Sequence, residues 1–362
     1  MSVLIGKEAP GGDILTIAES GSTVRAAVDP VLTDEDNDSG ELKFTILPDN
    51  PEYDAIQTMV STIVVMQENA EIWRGRAIDQ TRSGDGTKTM TCKGIMDYFH
   101  DGIIQPFAVK ATAANALGKI LQLFNGTTIE SYKHFYVGNV LGIPNIDYEL
   151  KNPRTCWDVL KELLRKYEGS LRCYRKSGRN YIDWRAEKTG CRDILTQDIE
   201  YGKNLIRLPE IAASCDGLCT VLYGQGKKTG DSPLTIGSIN GGKIYVEDAA
   251  AIAAFGRIED SMTDSSIETA EELKTAMEEE LEKRKMKLTE ITAEAVDLAD
   301  LGESSQPLRA GAFVKLSCAP LGINETVLIR RIVRHLFAPE QTVISLGTTI
   351  TAASRIMGGN AL

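Results

Sequence analysis

The sequence has 362 residues, of which 42% are hydrophobic and 25% charged, with a formal net charge of −11 at pH 7. This length predicts about two to four domains. The negative charge argues against a protein that coats nucleic acid, and against docking on anionic membranes, because both functions normally require a basic surface.

Residues 1–104 have the pattern of short strands separated by turns, which favours a small barrel or sandwich. Asn50 followed by Pro51 also predicts a short helix over Pro51–Met59, with Asn50 as its N-cap. The turn signal SGDG separates two apolar runs and predicts a hairpin. Strands are predicted at Leu42–Ile46, Thr62–Gln67, Ile72–Asp79 and Thr87–Lys93.

Residues 105–198 change to a mixed α/β pattern. Apolar residues at helical spacing predict a first helix that ends at Asn125-Gly126. Asn152 and Pro153 predict the start of a second helix, followed by Gly169 at its C-terminal cap. A hairpin is predicted around KSGRN. The helical faces consist of Ala113, Leu117, Ile120, Leu121 and Phe124 in the first helix, and of Trp157, Leu160, Leu164 and Tyr167 in the second.

From Ile199 onwards the strand pattern resumes and is then interrupted. Residues 247–288 read as helical, with a capping box at Ser265 and Glu268. The predicted buried stripe consists of Ile267, Ala270, Leu273, Met277 and Leu281. The simplest topology is a barrel that begins near residue 200, is interrupted by the helical segment, and is completed by strands up to residue 350.

Three motifs invite a ligand-binding interpretation and fit it poorly. The acidic loop Asp34–Gly40 resembles a calcium loop, but Ser39 and Thr45 occupy the positions where the EF-hand requires glycine and glutamate. The loop GQGKKTG at 224–230 lacks the glycine spacing of a phosphate-binding loop. Cys215 and Cys219 lack a second Cys/His pair at zinc-site spacing. A turn, a hairpin loop and local packing are the preferred interpretations.

A catalytic centre is not predicted either. The three histidines, His100, His134 and His335, belong to no HExxH motif, and the chain contains no GxSxG motif. The three tryptophans, at 73, 157 and 184, are expected to be core or interface anchors. The sequence therefore predicts no enzyme and no catalytic, cofactor-binding or metal-binding residues.

Four stretches in order resemble the prophage tail endopeptidase-like family, the tail-associated proteins of phages and prophages of Gram-positive hosts. They are similar, more distantly, to the central baseplate hub proteins of contractile tails. The stretches are GELKFTILPDNPEYDAI with the following IVVMQENAEIWRGRAIDQTRSGDGTKTMTCKGIMDYFHDGIIQPF; CWDVLKELLRKYEGSLRCYRKSGRNYIDW; IEYGKNL with TVLYGQGK; and LTIGSINGGKIYVEDAAAIAAFGRIEDS with LRAGAFVKLSCAPLGINETVLIRRIVRHLFAPEQTVISLG.

The resemblance implies a multidomain α+β hub fold with two β-barrel domains. An α/β domain lies between the barrels, and a helical domain is inserted in the second barrel. The expected boundaries are 1–104 for the first barrel, 105–198 for the α/β domain, 199–239 with 289–350 for the second barrel, 240–288 for the insertion and 351–362 for a C-terminal tail. The hub assignment requires Thr220–Gly224 and Ala312–Cys318 to lie in the same barrel.

The function implied by the resemblance is structural. Three chains would form a ring that closes the distal end of a phage tail or a tail-like particle such as a contractile bacteriocin. The ring would adapt sixfold to threefold symmetry and dock tip or spike proteins. The implied partners are two further copies of the chain, tail tube or distal tail ring proteins, a tip or spike protein and a tape measure protein, with no specific nucleic-acid binding and no membrane insertion.

The implied location is the tail tip or baseplate of a particle whose proteins are made in the bacterial cytoplasm. Acidic residues lining the lumen of such a ring would repel DNA and help it to slide through. Two alternatives remain open. One is a tail-associated peptidoglycan hydrolase, although the chain ends soon after the second barrel, where many relatives carry an enzymatic extension. The other is a carbohydrate-binding module at the tail tip.

Overall fold

The computed structural model describes residues 2–68, 70–187, 190–229, 232–265, 267–285, 288–301 and 306–347. These residues form two compact units, the first within 2–210 and 292–347 and the second within 211–291. The predicted C-terminal tail, 351–362, lies outside the described residues. No helix in the described part of the chain combines the length and the apolar character that crossing a membrane requires.

Strands and helices together confirm the predicted α+β class, with β structure in excess. In chain order the strands are β1 (Val3–Glu8), β2 (Ile14–Glu19), β3 (Ala27–Glu35), β4 (Glu41–Ile46), β5 (Thr62–Gln67), β6 (Ala70–Arg82), β7 (Lys88–Gly94), β8 (Ile103–Ile104), β9 (Phe107–Ala111), β10 (Phe135–Leu141), β11 (Ile146–Leu150), β12 (Arg154–Thr155), β13 (Ser170–Lys176), β14 (Arg179–Arg185), β15 (Ile199–Glu200), β16 (Glu210–Ser214), β17 (Val221–Gln225), β18 (Lys228–Thr229), β19 (Ser232–Pro233), β20 (Tyr245–Glu247), β21 (Glu259–Thr263), β22 (Leu288–Glu294), β23 (Phe313–Cys318), β24 (Ile323–His335) and β25 (Val343–Gly347). The α-helices are α1 (Ala113–Thr127), α2 (Cys156–Tyr167), α3 (Ala249–Phe255) and α4 (Ala270–Arg284). Short 3-10 helices lie at Ile95–His100, Ser131–Lys133, Leu298–Leu301, Ala319–Leu321 and Pro339–Gln341.

One large sheet joins the beginning of the chain to its end. Its strand order is β16-β22-β25-β24-β3-β4-β7-β6-β5-β1-β2, with β23 pairing β24 and β15 pairing β23. Within the described residues this order is open at both ends, whereas the sequence predicted two separate closed barrels. Most strands of the two predicted barrels therefore share one sheet.

The length of β24 explains why the two β regions are continuous. Its first half pairs with β23, from Cys318↔Ile323 to Phe313↔Leu328. Its second half pairs with β25 on one side and with β3 on the other. A strand of 13 residues is long enough to reach both regions. As a result β23 and β3 follow one another along the same edge of β24.

The first β region is built as the alternation in its sequence predicts. Leu42, Phe44 and Ile46 of β4 are buried, and β6 and β7 form the predicted hairpin. The helix predicted over Pro51–Met59 is wrong, because this segment forms turns. The Asn50 side chain does accept a hydrogen bond from the Glu52 amide, but it also donates to the Ile17 carbonyl of β2. Asn50 therefore anchors the turns to the sheet instead of starting a helix.

The α/β region has its own core, which runs from Ile95 to Trp184 and so begins before the predicted boundary at 105. The first predicted helix is confirmed as α1, and all five residues of its predicted face are buried. The predicted hairpin around KSGRN is confirmed as β13 and β14. The Trp184 indole is buried and donates to the Glu168 carbonyl.

The start of α2 differs from the prediction. Thr155, not Asn152, is the N-cap, and its side chain accepts a hydrogen bond from the Asp158 amide. Arg154 and Thr155 pair with β8 as a short strand, which postpones the helix beyond Pro153. The buried face also differs from the predicted one, since it consists of Cys156, Val159, Leu160 and Leu163.

The second unit is a small α/β structure of its own. Strand β17 lies between β20 and β21, and Leu222 of β17 shares a core with Met277 of α4. Four residues of the predicted stripe are buried on α4, namely Ala270, Leu273, Met277 and Leu281, whereas Ile267 precedes the helix and is partly buried against the same core. The helix cap is Thr269, not Ser265, and the stretch predicted as wholly helical contains α3, β21 and α4.

The prediction that Thr220–Gly224 and Ala312–Cys318 share a barrel is wrong. The first segment belongs to β17 in the second unit, and the second segment belongs to β23 in the large sheet of the first. The inserted unit begins at residue 211 instead of 240, and it contains strands as well as helices. The physical reason is that the apolar stripe of α4 is covered by β17 and β20, so these strands stay with the helix.

We expect Phe99→Ala to destabilise the protein by about 3–5 kcal/mol, because it opens a cavity in a close-packed aromatic cluster. The Phe99 ring centroid lies 5.1 Å from that of Phe124 and 4.3 Å from that of Phe135. Urea unfolding followed by tryptophan fluorescence measures the loss. The matched control is Ile129→Ala, at a side chain that is 97% exposed, which should change stability by less than about 0.5 kcal/mol. Equal effects of the two variants would contradict this core.

Candidate functional site

The residues weighed for catalysis and metal binding lie apart, each with its own local partner. His100 packs against Trp157, His134 Nε2 lies 3.0 Å from the Thr128 carbonyl oxygen, and His335 Nδ1 lies 2.9 Å from Asp29 Oδ1. In the described part of the chain, no group of three or more His, Cys, Asp or Glu side chains is arranged to hold a metal ion.

The cysteines and the lysine loop have structural surroundings. Cys219 is buried in the core of the second unit, while Cys215 is exposed. Burial raises the pKa of the Cys219 thiol, which makes it a poorer nucleophile. Lys227, in the loop compared with phosphate-binding loops, pairs with Glu268 at 2.5 Å. Gly230, at the end of that loop, lies outside the described residues.

The acidic loop after β3 forms a buried junction within the first unit. Asp36 Oδ2 lies 2.9 Å from Arg192 Nη1, and only 6% and 2% of the two side chains are exposed. The Ser170 hydroxyl donates to the other oxygen of Asp36. Asn37 accepts a hydrogen bond from the Leu171 amide at 2.7 Å. This loop therefore fastens β3 to the start of β13.

The same loop also reaches the last part of the chain. Asp34 Oδ2 accepts a hydrogen bond from the Ala310 amide at 3.0 Å, just before β23. The Asp36 amide donates to the Arg330 carbonyl of β24 at 2.9 Å. Four segments that are distant in sequence thus meet at one loop. Sequence spacing could not reveal this junction, because its partners lie at least 132 residues away.

A groove of about 1200 Å³ opens beside this junction, within the first unit. Among its lining residues, Arg185 and Arg309 both contact the carboxylate of Asp193, and Arg185 also pairs with Asp183 at 2.8 Å. Arg172 lines the groove as well, and no carboxylate in the described residues lies within ion-pair distance of it. At this end of the groove three guanidinium groups lie near two carboxylates, whereas the lining as a whole has equal numbers of arginines and acidic residues.

The neighbouring guanidinium groups shift the pKa values of the groups at this end of the groove. Burial alone would raise the pKa of Asp193, but the charges of Arg309 and Arg185 outweigh it and hold that pKa below its usual value. Burial and the like charge of Arg172 lower the pKa of the Arg309 guanidinium. The Nε atoms of Arg185 and Arg192 are buried and have no hydrogen-bond partner among the described residues.

Comparison with known proteins gives this architecture a family context. Residues 193–357 match the family described as prophage endopeptidase tail. No curated protein matches the sequence. Three solved structures are similar over nearly their whole length. They are prophage tail protein gp18 from Listeria monocytogenes EGD-e (14% identity, 99% of this chain and 98% of that chain, TM-score 0.60), the 43 kDa tail protein of prophage MuSo2 from Shewanella oneidensis (16%, 97% and 99%, 0.66) and the tail protein from Neisseria meningitidis MC58 (13%, 96% and 96%, 0.62).

The chain has the fold of prophage tail proteins. The predicted resemblance to phage tail-associated proteins is confirmed by these structures and by the family match over the second half of the chain. The likeness extends through both compact units, since it covers 96–99% of the chain.

We expect Asp36→Asn to destabilise the first unit by about 3–5 kcal/mol, because Arg192 would keep its charge in a buried place with only the half-exposed Glu187, at 4.0 Å, as a counter-ion. Urea unfolding measures the effect. The matched control is the neighbouring Glu35→Gln, which removes a half-exposed pair with Arg331 at 3.7 Å and should cost less than about 1 kcal/mol. A loss for Asp36→Asn no larger than that of the control would show that the junction does not depend on this ion pair.

Proposed function

We propose that this protein is a structural component of the distal end of a phage tail or tail-like particle. The observation that carries the proposal is the similarity to three tail proteins, two of them from prophages, over at least 96% of the chain. The family match over residues 193–357 points to the same class of particle. A fold kept across the whole chain, at identities of only 13–16%, supports a shared architectural role.

We further propose that three copies form the hub ring at the tail tip, close the tube and dock tip or spike proteins. The sequence-based prediction of this role required Thr220–Gly224 and Ala312–Cys318 to lie in one barrel, and they lie in different units. The role is supported instead by the pairing of β24 with β3, which joins the β regions at the beginning and the end of the chain into one continuous sheet. Three such chains would place six β regions around an axis, as a match to sixfold tail rings requires. Contacts of this heterologous kind must close into a ring or grow into a filament.

Cryo-electron microscopy of the assembled particle tests the hub proposal. We expect three copies of this chain in a closed ring at the distal end of the tail tube. Particles lacking the chain provide the control and should lose that density. Six copies, or a location along the tube or at the head, would contradict the hub role. Light scattering on the purified chain adds a second measurement, for which the expected mass is three times that of one chain.

The family description contains the word endopeptidase, so the hydrolase alternative needs its own test. We expect the purified chain to leave peptidoglycan intact in a zymogram in which a known hydrolase clears its lane. The reason is that the described histidines are held by unrelated partners and that burial raises the pKa of Cys92, Cys156 and Cys219. Clear lysis by this chain would replace the structural role with an enzymatic one.

A further inference from the structure

The outer face of the sheet formed by β10, β14 and β13 carries a continuous row of aromatic and cationic side chains. Tyr181 on the central strand lies directly opposite Tyr136 on β10 and Tyr174 on β13. Its ring centroid is 6.0 Å from that of Tyr136 and 5.6 Å from that of Tyr174. The guanidinium of Arg172 lies 5.8 Å from the Tyr174 ring, and that of Arg179 lies 5.3 Å from the Tyr136 ring. We call these five residues the Tyr–Arg row.

The row is a consequence of strand register. Side chains alternate between the two faces of a strand, so residues paired directly across neighbouring strands project on the same side. The opposite face contributes Phe135, Ile182 and Trp184 to the core of the α/β region. Gly138 is required beneath the row, because a Cβ atom there would lie 2.2 Å from Asp183 Oδ1 and 3.0 Å from the Tyr174 hydroxyl.

The positive charges of the row are not held in ion pairs, although the buried Asp183 lies opposite Arg172 on β14. Arg172 and Arg179 are exposed, and neither forms an ion pair with a described residue. Arg172 also lines the groove described above, beside Arg185 and Arg309. In a chain with a net charge of −11, a face that combines free guanidinium groups with tyrosines is a local reversal of charge.

The chemistry of the row favours one class of occupant. Tyr174 and Tyr181 stack on one another, Tyr136 is tilted against Tyr181, and guanidinium groups lie over Tyr174 and Tyr136, so the ring faces are poorly available to nucleobases or sugar rings. The negative charge of the whole chain opposes a long polyanion such as DNA. Tyrosine and arginine are the side chains enriched at the centres of protein interfaces, and guanidinium groups bind carboxylates in a bidentate manner.

We propose that the Tyr–Arg row and the adjoining groove dock an acidic segment of a partner protein, with its carboxylates on Arg172 and Arg179. This proposal names the chemistry of a partner for the proposed tail protein. It depends on the proposed tail role only because it expects the partner to be a protein. Tyr136, Tyr174 and Tyr181 would supply the contact area between the two charged ends.

A binding assay with the full chain tests this surface without the particle. The probe is a short fluorescent helical peptide rich in glutamate, measured by fluorescence anisotropy against a lysine-rich peptide and against single-stranded and duplex DNA. We expect the acidic peptide to bind and its affinity to fall with added salt. The double variant Arg172→Ala/Arg179→Ala should weaken binding by about tenfold or more, since two charge-assisted contacts are lost. Arg172→Lys/Arg179→Lys should lose less affinity for the acidic peptide, because it keeps both positive charges and removes only the planar guanidinium groups.

The matched control is Lys151→Ala/Arg207→Ala, which removes two exposed cations of the same unit away from the row. It should change the affinity by less than about twofold. An equal loss in both double variants, or no binding of the acidic peptide, would overturn the proposal. Preferential binding of DNA through Arg172 and Arg179 would replace it with a nucleic-acid surface. Self-association that depends on these two residues in sedimentation would assign the face to a second copy. Failure of the peptide assay leaves the particle location untouched, so the two proposals fail separately.

Discussion

The pairing of β24 with β3 is the contact on which the first unit depends. It brings His335 opposite Val31 and Arg331 opposite Glu35, residues about 300 positions apart along the chain. Closing so long a loop has an entropic cost, and pairings of this kind form late and slowly. The hydrogen bond from the Asp36 amide to the Arg330 carbonyl extends the ladder by one step, into the acidic loop. The buried pair of Asp36 and Arg192 then ties the α/β region to the same place.

Local features of the fold could be predicted from the sequence, because period and turn chemistry are local properties. The alternation of Leu42, Phe44 and Ile46 and the apolar stripe of α4 both lie where they were expected. Partners over long distances could not be predicted. The sequence of β17 indicates a strand but does not say which sheet it joins, so Thr220–Gly224 was assigned to the wrong unit. The helix start at Pro153 failed for a similar reason, since pairing with β8 overrides the capping signal.

The acidic loop shows the same limit for a candidate site. Its spacing allowed a calcium loop or a solvated turn. It is a turn between β3 and β4, but its Asp36 is almost wholly buried against Arg192. Nothing in the spacing of Asp34, Asp36 and Asp38 marks an arginine that follows more than 150 residues later. The tyrosines of the outer face were missed for a different reason. Tyr136, Tyr174 and Tyr181 sit on three strands, and only the register of those strands aligns them.

The way in which the chain leaves and re-enters the large sheet has a consequence for how such proteins diversify. The strands that lead out to the second unit and back from it, β16 and β22, are neighbours in the sheet order. A segment whose two ends lie side by side can be exchanged for another of different length, or for a tight turn, without altering the register of the remaining strands. The second unit is therefore an exchangeable insertion between β16 and β22. Related proteins that share the large sheet can carry a different insertion at this position.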